Sequence, residues 1–182
     1  MNKVNSFLVK ITLIFIAVFS LSLTPVSASP YGVGKYGADV PYGTDTSITI
    51  SAGNVSLTAV PSNSGNLTTA NGTVTVFSTD VVGYKLYIQS IGSTNLAAPG
   101  DTIPASGNGS PAALATNTWG YNTNASANFV GITSSNVEIK NFVGPARLGD
   151  ATTVTFGVKL DFTKKAGSYT TTVLYTAAPQ TT

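Results

Sequence analysis

The chain has 182 residues, only 9% of them charged, and it contains neither histidine nor cysteine. That removes the usual general base, thiolate nucleophiles, soft metal sites and disulfide staples, so packing alone must hold the fold. Nine basic and seven acidic residues give a formal +2, but Lys3 and Lys10 fall within residues 1–28, which leaves seven against seven beyond them. A neutral chain whose one basic run there is Lys164-Lys165 has no electrostatic footing for nucleic acid or for an anionic surface.

The first elements read as a secretion signal. Lys3 and Lys10 form a short basic region, residues 11–23 (ITLIFIAVFSLSL) are apolar, and Pro25 ends the run. Val26-Ser27-Ala28 then places small residues where a signal peptidase needs them. The expectation is a leader over residues 1–28, a mature chain starting near Ser29, and a secreted protein of the cell surface with no membrane contact after cleavage. An uncleaved anchor is the competing reading; the apolar run is short for a span, and Pro25 interrupts it. An exported domain without cysteine suits a bacterial source.

Residues 29–45 repeat Tyr-Gly at Tyr31, Tyr36 and Tyr42, with glycine and proline too dense for a helix. They are either a flexible linker or a segment that docks on a neighbouring subunit, where tyrosine makes a good contact residue. From residue 46 the apolar period is two. Ile48 and Ile50 alternate with polar neighbours, then Val55, Leu57 and Ala59, then Val74 and Val76, then Tyr84, Leu86 and Ile88. This is the pattern of strands with one face in a core and the other wet.

Residues 92–118 break the pattern with Pro99, Pro104 and Pro111, and read as a long surface loop, either binding or mobile. Further on, Val154, Phe156, Val158 and Leu160 share one face, and Tyr169, Thr171, Val173 and Tyr175 share another. A turn at 163–167 between them predicts a closing hairpin. The sum is an all-β chain: one antiparallel immunoglobulin-like β-sandwich of about 7–9 strands over residues 46–178, with a tail at 179–182.

Chemistry is hard to place on this framework. No Ser-x-x-Lys follows residue 28, and the one glutamate, Glu138, sits beside Lys140 on an outward strand face. Asp80, Asp101 and Asp150 fall in turns or loops, and no calcium-loop pattern occurs. The expectation is therefore no catalytic residue, no metal and no cofactor. Trp119 and Tyr121 invite two readings: a platform that stacks on a sugar ring, or a core plug with the tyrosine hydroxyl bonded to backbone.

The segments 81–86 (VVGYKL), 118–121 (TWGY) and 166–173 (AGSYTTTV) are similar to those of small secreted immunoglobulin-like proteins of bacterial surfaces. The resemblance extends to pilin-like subunits and, more loosely, to WxL-type domains, although Gly and Tyr follow Trp119 in place of that signature. It implies a non-catalytic role at the cell surface. The first expectation is a structural subunit of a fibre or coat, partnered with itself. Residues 31–52 of one copy would complete a sheet of the next, with Tyr31, Tyr36, Tyr42, Ile48 and Ile50 as contact residues. The second is an adhesion module that binds glycan or another surface component through Trp119, Tyr121 and the 92–118 loop.

Overall fold

The computed structural model describes residues 9–17, 47–79 and 81–180. They are all-β, with no helix among them. The strands are β1 (Val9–Ala17), β2 (Ser47–Ala52), β3 (Val55–Ala59), β4 (Asn66–Thr79), β5 (Gly83–Ile91), β6 (Leu96–Ala98), β7 (Asp101–Ile103), β8 (Thr118–Asn122), β9 (Val137–Val143), β10 (Asp150–Leu160) and β11 (Ser168–Gln180). One sheet has seven strands along the path β3-β1-β11-β5-β9, with β6 and β7 attached beside β11; the other runs β2-β4-β10-β8. Every pairing is antiparallel except that of β1 with β11.

The period-two pattern builds one core shared by both sheets. Val74 and Val76 of β4 and Val154 and Phe156 of β10 meet Leu86 of β5 and Val173 of β11, all essentially inaccessible to water. Each such side chain contributes about 1.5–3 kcal/mol by leaving water. Trp119 packs on Phe156 with ring centroids 6.5 Å apart.

Two strands that follow one another along the chain lie in different sheets. β2 pairs with β4 up to Ala52↔Val74, and then β3 continues along the same path but in the seven-stranded sheet. Gly72 makes room for the change, since a Cβ there would lie 2.7 Å from Cγ2 of Val55. Past β3, Asn66 Nδ2 donates to the carbonyl of Val60 at 2.9 Å, so the path still follows β4.

Two expectations need correction. Strands β10 and β11 are not a hairpin: β10 lies between β4 and β8, whereas β11 lies between β1 and β5. The alternation and the turn are present, but the turn carries the chain across the core. The 92–118 stretch is not a structureless loop either. It contains the β6–β7 hairpin, turned at Gly100 with φ of 75°, and buries Leu96, Ile103 and Leu114. With β1, these short strands bring the number beyond the expected range.

Candidate assembly site

The site is the place of β1 in the seven-stranded sheet. On one side β1 pairs antiparallel with β3, from Val9↔Ala59 to Leu13↔Val55. On the other it pairs in parallel with β11, from Lys10↔Ser168 to Ala17↔Tyr175. Among the described residues β3 has no other strand partner, while β11 also pairs with β5 and β6. The backbone of β3 therefore depends on β1, and its position depends on the burial of Val55, Leu57 and Ala59. Ser56 and Thr58 between them are exposed. On the far wall Tyr169, Val173 and Tyr175 point into the core.

The start of β11 is fixed by a clasp around Asp101. Its carboxylate accepts hydrogen bonds from the Tyr169 hydroxyl at 2.7 Å, the Lys165 backbone amide at 3.1 Å and Lys164 Nζ at 3.1 Å. Lys164 Nζ also donates to the Thr102 carbonyl, and Lys165 Nζ to that of Gly100. The bond from Tyr169, followed by those from Lys165 and Lys164, outweighs partial burial and holds the Asp101 carboxyl well below the usual carboxylate range. Burial first, then the hydrogen bond to Asp101 and its charge, push the Tyr169 hydroxyl up. The β6–β7 hairpin, the turn before β11 and the first residue pairs of the β1 place are thus tied together.

A second ionic group stands near the other end. Asp150 at the start of β10 accepts from Lys140 Nζ at 2.6 Å and from the Tyr84 hydroxyl, joining β9, β5 and β10 across the two sheets. Burial works against the charge, but the Lys140 and Tyr84 bonds prevail and lower the Asp150 carboxyl. No group of three or more acidic side chains able to hold a metal ion occurs among the described residues.

Tyr31, Tyr36 and Tyr42 lie outside the described residues. Ile48 is buried and Ile50 packs against the core within the chain's own β2, so the expected donor segment of residues 31–52 is too long at its C-terminal end: 47–52 are held by β4. Trp119 is 1% exposed, Tyr121 is buried, and Trp119 Nε1 donates to the Thr94 carbonyl at 2.9 Å. Rings so placed offer no stacking face, which overturns the Trp119/Tyr121 platform; Trp119 is a core plug, and it is the indole that bonds to backbone. Sequence reasoning missed β1 and β3 as the site. The signal was present in part: residues 9–17 carry Val9, Ile11, Thr12, Ile14 and Ile16, β-branched residues that suit a strand as well as a leader. Comparison with protein-family models and with curated proteins finds no match to this chain.

Proposed function

We propose that the chain is a secreted, non-catalytic structural subunit of a bacterial surface fibre or coat, built on an immunoglobulin-like sandwich and joined to its neighbours by strand addition. One observation carries the reading. Among the described residues, the one strand that pairs with β3 comes from residues 9–17, within the stretch that reads as a leader. Removal of that leader takes β1 away and leaves β3 and β11 facing one another across a place one strand wide, roughly 10 Å. Both edges then carry unpaired amides and carbonyls, a template for another strand. The residues between the leader and β2 are the natural donor, and a donor from a neighbouring copy links the two.

The test is deletion of residues 31–45 from the full chain, which leaves the 26–28 processing site and Ser29-Pro30 in place. Light scattering and negative-stain microscopy on the processed protein are expected to show filaments or a ladder of oligomers for the unaltered chain, and none for the deletion. A synthetic peptide covering residues 31–46 should bind the deletion variant and restore the far-edge pairing. Unchanged assembly of the deletion variant would rule strand addition out.

A further inference from the structure

Large apolar side chains are exposed at both ends of the strands. At one end, where β2 begins and β9 and β11 finish, Val82 is 51%, Val143 83% and Leu148 98% exposed. The Val143–Leu148 connection is fixed there: the Gly144 amide donates to the Val82 carbonyl, and the Ser78 amide to that of Ala146. At the opposite end, where β3 and β10 finish and β4 begins, Val60 is 49%, Leu67 40% and Phe162 55% exposed. The Ser62 amide donates to the Leu160 carbonyl there and Leu67 pairs with Lys159, so the segments that carry these residues run side by side at that end. Water-exposed apolar groups of this size cluster at contact surfaces.

We propose that copies stack end on end, with the Val82/Val143/Leu148 end of one seated on the Val60/Leu67/Phe162 end of the next. The proposal rests on the strand-addition reading and specifies its geometry. Two different patches at opposite ends of one molecule make a heterologous contact, which continues into an open filament. The occupant of each patch is a second copy, because the chain itself supplies the link: β2 begins with Ser47 at the first end, and the β1 place opens beside Val60 at the second. A segment anchored at Ser47 of the upper copy enters the lower copy at that opening.

Polarity follows. In such a stack the C-terminal part of the donor lies at the Val60 end of its acceptor, so the donor runs parallel to β3 and antiparallel to β11. That is the reverse of β1, which runs parallel to β11. Kept in the polarity of β1, a donor would join two like ends and close a dimer. The sequence before Ser47 supplies a suitable face: Tyr36, Ala38, Val40 and Tyr42 alternate with Lys35, Gly37, Asp39 and Pro41.

The test uses two variants of the full chain, purified after processing: Val143→Glu with Leu148→Glu, and Leu67→Glu with Phe162→Glu. Each alone is expected to raise the concentration needed for filaments at least tenfold. An equimolar mixture is expected to stop at a dimer, since it retains one intact contact; that dimer also shows that both variants fold. Filaments from either variant at the unaltered concentration would overturn the stacking, and so would a dimer of the Leu67/Phe162 variant by itself, which reports a like-to-like contact. The residue 31–45 deletion separates the two readings. If it assembles while the end variants do not, strand addition fails and the stacking stands; if the reverse holds, the stacking fails alone.

Discussion

Trp119 shows what one buried side chain does for this fold. Its ring fills the core beside Phe156, its Nε1 reaches Thr94, and its backbone bonds Pro104 and Ser106. The whole stretch between β5 and β8 is thereby fastened to β8. Trp119→Ala is expected to cost about 3–5 kcal/mol, because the cavity adds to the lost transfer energy. Trp119→Phe should cost less, since it retains most of the apolar volume and loses chiefly the indole bond. Urea unfolding of the two variants checks the order. Asp101 acts by charge instead. Its carboxyl is lowered in the folded state, so its contribution is fully present above the unfolded value near about 4 and is lost as pH falls through the folded value. Asp101→Asn is expected to destabilise the protein by about 2 kcal/mol from pH 5 to 8. The difference from the unaltered chain should shrink steadily below about pH 4. A gap of constant size down to acid pH would show that the carboxylate charge is not what holds the clasp.

Among the elements, β3 is the weakest by construction. It has five residues, a single strand partner among the described residues, and three apolar side chains that hold it to the core. If β1 is removed with the leader, as proposed, the β3 amides lose that partner strand, and their exchange with solvent should be limited only by side-chain packing. Hydrogen exchange on the processed protein is expected to find Val55–Ala59 fast in the unassembled form and protected in filaments. The amides of residues 155–159 in β10, flanked by both β4 and β8, should stay slow in both. Fast exchange of β3 in filaments would mean that no strand had entered beside it. The same element explains what the sequence could disclose. Alternation identified the inward faces of β3, β5, β10 and β11, because a strand's period depends only on which face is buried. It did not identify partners: β10 and β11 look like a hairpin by spacing, and only the positions of β4, β8 and β5 reveal that they belong to different sheets. The β6–β7 hairpin was hidden because three residues per strand are too few for a period to register. The place of β1 was hidden for a different reason, since an apolar leader and an apolar β-strand are written in the same residues.

For the whole molecule the shortage of charge decides how the proposed assembly would respond to solution conditions. Beyond residue 28 the formal charges cancel, and the two end patches are apolar. A contact between charged surfaces weakens as salt shortens the screening length from about 10 Å at 0.1 M to about 3 Å at 1 M. A contact made by Leu148, Val143 and Phe162 together with backbone pairing has little for salt to screen. The concentration at which filaments appear is therefore expected to change by less than about twofold across that range of sodium chloride. Ammonium sulfate should lower it, because excluded salts favour apolar burial. Cooling should raise it, since the apolar contribution weakens on cooling, although added strand pairs offset part of that. Sedimentation across the two salt series separates the possibilities. A steep loss of filaments in sodium chloride would place the contact on Lys85, Glu138, Lys140 and Arg147, and would set the apolar ends aside as the seat of assembly.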